Sequence, residues 1–547
     1  MLQQLGDMAS QAGPYSTYFQ IVAGGLVLAL VLHACFHEQR LHPGIPAFGI
    51  DEKGWMRIEK ARKRYTERGI QLVEEAIRQF SRPYQMATDV GVRIFLPARY
   101  AEEIKNNKHM SFKQALLDDF SSRYSGIEPI LMISHDQDII QRVTRQNITQ
   151  SLNLITDDIS EEADLTLKET LGDTKDWTPL TLKPFVLELV ARLSSRIFVG
   201  TELCRNKEWL DLAKNYTIDM FMAIWALRRQ PLALRWLMVW LLPEWRKARQ
   251  DIKDARRVLG PVINARLERN RLADEKGVPR PRAKDTIQWV YDAFETHVPR
   301  HEIADTQLAL SVVAVHTTTE LLTSVLLDLA QNEEFIKELR DEIIDVLTKA
   351  NVHAAGSSDA NEDAVGNKGK TIWKKQALYQ MKLLDSAIKE SQRLHSLDIG
   401  KPFYPPAGMR RVADSDIKLS DGTVIPKGAN TWVTLDAHRN PERYPSPDVF
   451  NPHRFLDLRS QPGQENRWQL VSTSADHLAF GHGEHACPGR FFASNEIKIA
   501  LVHLLMKYDW MLPDGQRPSD VVHGGGDTGV DSQAKILFRR RKEEVQL

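Results

Sequence analysis

The sequence predicts a mainly α-helical protein with small β-sheets, an α+β fold carried behind a single N-terminal transmembrane helix. Three observations lead to this fold class. Apolar residues recur at three- and four-residue spacing over most of the chain, which is typical of amphipathic helices. Stretches that alternate like β-strands are few and short. One long stretch near the N-terminus carries no charged residue.

The uncharged stretch runs from Tyr18 to Phe36, and roughly 19 residues span about 28 Å as a helix, close to the about 30 Å of a hydrocarbon core. The alternatives are a buried core helix and a secretory signal peptide, but the latter needs preceding basic residues, and here Asp7 precedes with no Lys or Arg. Basic residues follow the stretch, and the positive-inside rule places that side in the cytosol. They are Arg40, Lys53, Arg57 and Lys60.

These features divide the chain into an anchor over residues 1–37 and one large domain over residues 38–547, with a stiff proline-containing hinge at His42–Pro46. The large domain is predicted to contain several long amphipathic helices. The clearest are Trp55–Phe80, Leu180–Val199, Glu208–Leu227, Trp245–Arg271 and Ile303–Leu347. A small polar insert at 354–370 predicts a disordered-like surface loop. Hairpins are predicted at 416–428, around Asp421-Gly422, and around HGGGDTG near the C-terminus.

The composition excludes several classes of partner and site. Lys and Arg total 72, as do Asp and Glu, so nothing points to nucleic acid or another polyanion. The cysteines, Cys35, Cys204 and Cys487, are far apart and odd in number, which fits a reducing compartment and not a disulfide framework. None has the CxxC partner typical of a zinc site, and no Gly-rich phosphate loop follows a strand signal.

Cys487 lies between two glycines in the stretch FGHGEHACPG, just before a strongly periodic helix predicted to begin near Pro488. At a helix N-terminus, free N–H groups and the helix dipole favour a thiolate. A thiolate in such a place can serve as a metal ligand or as a nucleophile. For a nucleophile, His482 and His485 are close enough in sequence to act as the base, so spacing leaves both chemistries open.

The pattern Phe480-x-x-Gly483-x-x-x-Cys487-x-Gly489 resembles the haem-binding signature of the cytochrome P-450 superfamily. The resemblance implies the cytochrome P-450 fold and a haem cofactor whose iron takes Cys487 as its axial thiolate, which favours O–O cleavage. It also implies that the two glycines let the backbone pass close to the porphyrin and that Phe480 tunes the sulfur side. The implied location is the endoplasmic reticulum membrane, single-pass, with the catalytic domain in the cytosol.

Two further motifs match the same family. The stretch KESQR places Glu390 and Arg393 on one face of a helix. Arg454, in FNPHRF, resembles the family's second arginine-containing motif. The resemblance implies that these three residues form a charged cluster that braces the proximal side of the haem without touching the chemistry.

Two residues are expected at the haem propionates. Arg411, five residues before Asp416, matches the position that usually contacts one propionate. His485 stands where many relatives have an arginine for the other propionate. The usual WxxxR motif of the helix that crosses the haem is absent from residues 136–155, and Arg142 and Arg145 are the candidates to replace it.

The segment Leu308–Leu327 resembles the long helix over the haem. Residues 314–318 read AVHTT where the family pattern ends in Gly-x-acid-Thr-Thr, so Ala314 is expected at the cofactor and Thr317 matches the threonine that relays protons. His316 replaces the acid, and because histidine titrates near neutrality it is a candidate relay. The alternatives are that His316 is an interior histidine and Thr317 a core residue, neither with a catalytic role.

The stretches AVHTTTE, FGHGEHACPGRFFASNEIK and LVARLSSRIFVG look like a fungal branch of the family in specialised metabolism. That branch includes ent-kaurene oxidase-like enzymes, indole-diterpene oxidases and some polyketide oxidases, which implies an apolar polycyclic substrate, most often a terpenoid. Phe221–Trp245, rich in Trp, Leu and Met, suits a pocket entrance near the bilayer or ordinary packing with membrane contact. Lys401–Met409 is expected to line the pocket, where Phe403 and Tyr404 would shape specificity.

The resulting hypothesis is an NADPH-driven monooxygenase acting on a diterpene, indole diterpene or meroterpenoid, with a polyketide scaffold as the alternative substrate. The sequence has no flavin or nicotinamide motif, so NADPH-cytochrome P-450 reductase would supply the electrons, with cytochrome b5 as an optional second donor. Arg490 is a candidate docking residue for this partner. Two other hypotheses are an electron-independent haem-thiolate isomerase or dehydratase, motivated by His316, and a membrane-anchored scaffold whose haem is structural.

Overall fold

A computed structural model describes residues 20–26, 28–29, 32, 41–50, 57–230, 234–281, 283–294, 299–355, 375–395, 407–523, 527–545 and 547. The insert at 354–370 lies largely outside the described residues, as do nine of the 19 residues of the predicted transmembrane segment at 18–36. The described part of the 18–36 segment is helical, with exposed apolar side chains. Among the described residues, the one helix long and apolar enough to cross a membrane is Arg300–Gln331, and 72% of its most apolar window is buried in the protein. The N-terminal anchor therefore stays a prediction.

Most of the described chain is α-helical. In chain order the helices are α1 (Arg57–Gln79), α2 (Ala101–Ile104), α3 (Phe112–Asp119), α4 (Glu128–Ile133), α5 (Ile139–Arg142), α6 (Leu152–Thr170), α7 (Leu182–Phe198), α8 (Lys207–Arg228), α9 (Arg235–Leu241), α10 (Pro243–Glu275), α11 (Thr286–Ala293), α12 (Arg300–Gln331), α13 (Glu333–Ala355), α14 (Lys375–Gln380), α15 (Lys382–Leu394), α16 (Arg454–Ser460) and α17 (Arg490–Lys507). A π-helical turn at Val143–Ile148 continues α5.

The strands are short and form four small sheets in the described part of the chain. They are β1 (Tyr84–Thr88), β2 (Gly91–Leu96), β3 (Met110–Ser111), β4 (Thr178–Thr181), β5 (Ala407–Ala413), β6 (Ile417–Lys418), β7 (Val424–Ile425), β8 (Asn430–Thr434), β9 (Tyr508–Met511), β10 (Val521–His523), β11 (Asp527–Gly529) and β12 (Lys535–Arg540). The largest sheet has the order β1-β2-β8-β5-β3. A second has the order β4-β12-β9, and β6-β7 and β10-β11 are separate hairpins. The predicted α+β class with small sheets is confirmed.

The predicted helices agree with α1, α7, α8 and α10 to within a few residues. The fifth prediction, one helix over Ile303–Leu347, is wrong because the chain breaks between α12 and α13 at Asn332. Asn332 leaves the helical conformation, with φ −131° and ψ 66°, and its side-chain amide donates to the Asp328 carbonyl at 2.7 Å. The apolar periodicity continues across this single residue, so the pattern alone could not reveal the break.

The hairpin predicted at 416–428 is confirmed. Ile417 pairs with Ile425 in an antiparallel register, and Gly422 at the turn has φ 87°, a left-handed conformation that suits glycine. Strands β10 and β11 form the hairpin predicted near the C-terminus. Its central residues 524–526 lie outside the described chain.

The main hydrophobic core lies among the helices, and α12 contributes buried residues along almost its whole length, from Ile303 to Ala330. A second core lies at the largest sheet. Helix α17, which follows Cys487, packs against α6 and α12. Strand β5 carries Arg411 and pairs with β8 inside the largest sheet. Rigid elements therefore position the cysteine loop, Arg411 and the middle of α12.

Candidate active site

The loop that carries Cys487 is closed by its own backbone. The Cys487 N–H donates to the Phe480 carbonyl at 2.8 Å, and the Ala486 N–H donates to the Gly483 carbonyl at 3.0 Å. Gly481 and Gly483 have φ values of 65° and 80°, which other residues rarely adopt. The glycines thus turn the chain so that Cys487 precedes the first turn of α17.

Gly483 is required by a contact within the protein. A Cβ atom there would lie 2.7 Å from the Cβ and carbonyl oxygen of Lys105 and 2.7 Å from Asn106 Oδ1. Asn106 Oδ1 also accepts the N–H of the residue after Gly483, at 2.8 Å. Within the protein, the close neighbour of this glycine is the 105–106 segment, and the porphyrin contact that the family resemblance implies stays a prediction. A Cβ on Gly489 would lie 4.0 Å from Cys487 Sγ, an ordinary contact.

Burial dominates the electrostatics of the cysteine. It raises the pKa of the Cys487 thiol, and the N–H groups of Gly489 and Arg490, with the Arg490 charge, lower it only in part. Without a metal, burial therefore favours the thiol form of Cys487. A coordinated metal cation deprotonates a thiol outright. Coordination of a metal would thus supply the thiolate that the sequence predicts.

The two histidines near the cysteine are engaged elsewhere. The His482 ring nitrogens lie 3.0 Å from Thr473 Oγ1 and 2.9 Å from Glu102 Oε1, so each has a partner. The His485 ring stacks on Phe112, with 5.7 Å between ring centroids. Among the described residues neither ring is hydrogen-bonded to the sulfur, so a cysteine–histidine nucleophile is not assembled.

Arg411 places a buried cation beside this loop. The residue is 2% exposed, and its Nη1 donates to the Arg410 carbonyl at 2.7 Å. Its Nε and Nη2 have no hydrogen-bond partner among the described residues, and burial lowers the pKa of Arg411 to about 10. The guanidinium lies 5.7 Å from the centre of the Phe112 ring, on which His485 also stacks. The structure therefore brings together the two residues predicted at the propionates.

The unpaired nitrogens of Arg411 and the sulfur of Cys487 define the chemical groups that suit a ligand at this site. A buried guanidinium with two unpaired nitrogens favours a ligand that brings its own anion. Arg411 has two buried nitrogens that such an anion would pair with, and Cys487 has a buried sulfur whose thiolate form a metal cation would stabilise. An iron porphyrin supplies the cation at its centre and carboxylates at its edge. The donor set therefore fits haem.

The two candidates for the missing WxxxR arginine lie in different places. Arg145 Nη2 donates to the Glu484 carbonyl at 2.9 Å, within the cysteine loop. Arg142 Nη2 donates to the Ala293 carbonyl at 2.9 Å, at the end of α11. Burial lowers the pKa of His485, and the charges of nearby arginines, Arg145 among them, add to that shift. Of the two candidates, Arg145 lies next to the predicted propionate residues.

Glu390, Arg393 and Arg454 meet in one buried cluster. Arg393 Nε and Nη2 donate to the two Glu390 carboxylate oxygens at 2.8 and 2.9 Å, and Arg454 Nε donates to Glu390 Oε1 at 2.8 Å. The Glu390 and Arg393 side chains have no exposed surface. Arg393 Nη1 donates to the carbonyls of His438 and Pro447, both at 2.7 Å. Helices α15 and α16 and the 438–447 segment are thereby joined at one point.

A chain of hydrogen bonds leads from this cluster to the cysteine loop. The His438 ring accepts the Leu478 N–H at 2.9 Å, and the Leu478 carbonyl accepts the Gly481 N–H at 2.7 Å. Burial lowers the pKa of His438 to about 3, so the ring is neutral and Nε2 can accept. The cluster fixes the start of the loop through His438, without a described contact to Cys487.

The middle of α12 presents two different sides. Val313, Ala314, His316 and Thr317 all keep some accessible surface, whereas Val312, Val315 and Thr318 are buried, and the Thr317 hydroxyl lies 2.8 and 3.2 Å from the Val313 and Ala314 carbonyls, to which it can donate. The His316 ring points to α8, where Nε2 lies 2.7 Å from the Lys214 carbonyl. Burial lowers the pKa of His316. The two residues predicted to act in catalysis therefore face different neighbours.

Arg490 is used inside the loop. Its Nη1 donates to the Cys487 carbonyl at 2.8 Å and its Nε to the Val471 carbonyl at 3.1 Å. This guanidinium therefore holds the loop, although the sequence suggests it for docking. Phe403 and Tyr404, predicted to shape specificity, lie outside the described residues.

Three residues of this site lie outside the motifs recognised in the sequence. Phe112 is the ring on which Arg411 and His485 meet, Asn106 closes the contact at Gly483, and His438 links the charged cluster to the loop. For His438 the local sequence is HRNPERY, a pattern that by itself does not indicate a catalytic or binding role. Phe112 and Asn106 are ordinary residues in sequence, and only the fold gives them a role.

Comparisons with known proteins agree with this site. The family model described as Cytochrome P-450 matches residues 94–534. The chain is 41% identical to cytochrome P-450 monooxygenase adrA of Penicillium rubens, covering 89% of this chain and 90% of that protein. It is 38% identical to cytochrome P-450 monooxygenase 1 of Gibberella fujikuroi, covering 85% and 99%. The solved structure of retinoic acid-bound cyanobacterial CYP120A1 has a TM-score of 0.61 at 17% identity, covering 86% of this chain and 94% of that one, and so shares the fold.

The family match spans both the cysteine loop and the middle of α12, and the relatives are fungal monooxygenases of similar length. The fungal specialised-metabolism branch indicated by the motifs is therefore confirmed, as is a haem cofactor held by a cysteine thiolate. A scaffold without catalytic activity is set aside. The chain belongs to the cytochrome P-450 family and is one of its haem-thiolate monooxygenases.

Proposed function

We propose that this monooxygenase hydroxylates, or further oxidises, an apolar polycyclic specialised metabolite of the terpenoid class: a diterpene, an indole diterpene or a meroterpenoid. The observation that carries the proposal is the accessible side of α12. Val313 and Ala314 are apolar, and the Thr317 hydroxyl already donates to the carbonyls behind it. A surface with no charge and no unpaired donor favours an apolar ligand.

The residues of the site would divide the work as follows. Bound haem supplies the activation of dioxygen and the insertion of one oxygen atom into a C–H bond. Cys487 would hold the iron, and the buried Arg411 with His485 would hold the propionates. Thr317 donates to a backbone carbonyl and keeps a lone pair, so its hydroxyl would accept one further hydrogen bond next to Ala314.

The electrons would come from NADPH-cytochrome P-450 reductase in the endoplasmic reticulum membrane, with cytochrome b5 as an optional second donor. Exposed apolar side chains on α9 support a membrane-bound protein, since tryptophan and leucine on one short helix are typical of contact with a bilayer interface. They include Trp236 at 63% and Trp240 at 58% exposure, with Leu237 and Leu241 beside them. The N-terminal segment at 18–36 would anchor the chain in a single pass, with the catalytic domain in the cytosol.

The test begins with the full-length chain in microsomes, screened with terpenoids, indole diterpenes and polyketides for a haem spin-state shift. The reduced, CO-bound spectrum of the same sample serves as the control for thiolate ligation. A shift with a terpenoid supports the proposal. A shift with polyketides alone refutes the terpenoid class. Turnover that needs no NADPH refutes the monooxygenase and supports the isomerase or dehydratase suggested by the missing acid.

A pair of threonine variants tests the role of Thr317. Thr317→Ala should reduce the product formed per NADPH by at least about tenfold, since a side chain positioned in a proton-transfer path is typically worth more than that. Thr319 is the matched control, because its hydroxyl also donates to the carbonyl four residues earlier, at 2.7 Å, but is buried. Thr319→Ala should leave the product per NADPH unchanged. Equal losses in both variants would contradict the assignment.

A further inference from the structure

We propose that His316 is a positioning residue that ties α12 to α8, and that it fixes the segment from Ala314 to Thr317 instead of carrying a proton itself. The inference rests on the role proposed above for Thr317. It starts from one contact, between His316 Nε2 and the Lys214 carbonyl at 2.7 Å.

The direction of this hydrogen bond is fixed by its acceptor. A carbonyl oxygen can only accept, so His316 Nε2 carries the hydrogen. Lys214 lies in the interior of α8, where its carbonyl also serves the helix, and the histidine uses the second lone pair. The Lys214 ammonium points to other partners, Glu188 at 2.7 Å and Asp211 at 3.3 Å. The backbone of α8 is therefore what His316 holds.

The helix geometry separates His316 from Thr317. Consecutive residues of an α-helix point about 100° apart, so the His316 ring, which is directed at α8, and the Thr317 side chain leave α12 in different directions. The Thr317 hydroxyl is turned back onto the Val313 and Ala314 carbonyls. No described hydrogen bond joins the His316 ring to this hydroxyl.

A second tie lies one helical turn further along the same side of α12. Glu320 forms an ion pair with Lys183 of α7, and its Oε2 accepts the Val530 N–H at 3.3 Å. Lys183 in turn donates to the Val530 carbonyl at 3.3 Å. These two residues are the charged groups that face the His316 ring, and they neutralise each other. This side of α12 is thus held by α8, α7 and the C-terminal segment.

Four substitutions of His316 separate a tie from a proton relay. His316→Gln keeps an N–H close to the position of Nε2 and does not titrate. His316→Asn has the same amide on a shorter arm, His316→Asp restores the family's acid but cannot donate when ionised, and His316→Ala removes the side chain. If His316 positions α12 through its hydrogen bond to α8, that function is retained in His316→Gln and lost in the Asn, Asp and Ala variants. If His316 relays protons, that function is retained in His316→Asp and lost in His316→Gln.

The first readout is backbone hydrogen exchange of the holoenzyme in α8 and α12, with the reduced CO spectrum as the check that each variant is folded. Loss of one buried hydrogen bond should make exchange around residues 212–218 and 312–318 about five- to tenfold faster in Ala, Asn and Asp, but not in Gln. Exchange that is unchanged in Ala, or equally fast in Gln and Ala, overturns the proposal. This readout does not depend on the role of Thr317, so the two proposals can fail separately.

The second readout is the peroxide released per NADPH consumed, followed between pH 6 and pH 8. Because both the neutral and the charged imidazole carry the Nε2 hydrogen, a tie predicts a ratio that is flat with pH in wild type and the same in His316→Gln. A relay predicts a ratio that changes with pH in wild type and is restored by His316→Asp. The relay pattern overturns the proposal.

Discussion

The strongest single expectation concerns Glu390, and the perturbation is Glu390→Gln. The carboxylate lies at the centre of the buried cluster and accepts from Arg393 Nε and Nη2 and from Arg454 Nε, at 2.8, 2.9 and 2.8 Å. It also accepts the Asn451 N–H at 3.2 Å. Glutamine keeps the shape, but it removes the negative charge that serves two buried arginines and points an NH2 group at one of them.

The magnitude follows from this burial. Removing one partner of a buried ion pair typically costs about 3–5 kcal/mol, because the other charge is left without compensation. Here the charge lost faces two cations, Arg393 and Arg454, with exposed fractions of 1% and 7%, so at least the middle of that range applies. A loss of about 4 kcal/mol lowers the ratio of folded to unfolded protein about a thousandfold.

The assay is the fraction of protein that keeps the thiolate CO spectrum as temperature or urea is raised. The matched control is Glu268→Gln, because Glu268 and Arg271 have the same three-residue spacing and a 2.6 Å contact but are both about half exposed. Exposed pairs contribute little to stability, so this control should unfold like wild type. A Glu390→Gln variant as stable as the control would refute the reasoning.

Three further outcomes are expected. Arg411→Leu removes a buried cation, so the haem-free protein should keep its unfolding midpoint. The rate of haem transfer to an apo-globin acceptor should become at least about tenfold faster. An unchanged transfer rate contradicts the propionate role. Gly483→Ala should lower the yield of thiolate-ligated protein, because its Cβ would meet the 105–106 segment at 2.7 Å; Gly463→Ala, with a similar φ and open space, should not. Burial raises the pKa of Glu496 to about 8 from 4.5, so between these pH values the native state binds more protons than the unfolded state and wild-type stability falls as pH rises. Glu496→Gln should reduce this loss of stability between pH 5 and pH 8, measured by urea titration at the two pH values. An equal loss in the variant and in wild type contradicts the expectation.

The sequence was sufficient wherever chemistry is confined to a short motif. The spacing around Cys487 and the three-residue spacing from Glu390 to Arg393 are local patterns, so the sequence alone contains every residue that defines them. Arg454 was found through a second motif, although its contact with Glu390 is made only by the fold. Strong helices such as α7 and α10 were likewise visible, since their apolar spacing extends over several turns.

The remaining features depend on long-range packing. The contact of Asn106 with the backbone of Glu484 joins distant segments, and neither residue type indicates it. The helix terminus before which Cys487 lies is visible in sequence, whereas the burial that raises the pKa of the metal-free thiol is not. The direction of His316 likewise depends on where α8 packs against α12.

The sheet β4-β12-β9 has a consequence for how the protein is made. Strand β12 is its middle strand, pairing Lys535 with Thr181 on one side and Leu537 with Met511 on the other. During synthesis, β4 therefore leaves the ribosome more than 350 residues before its partner, and the edge of β4 stays unpaired until residues 535–540 have emerged. A protein fused to this domain must be joined after residue 540, because a fusion inside β12 would leave both neighbouring strands without their central partner.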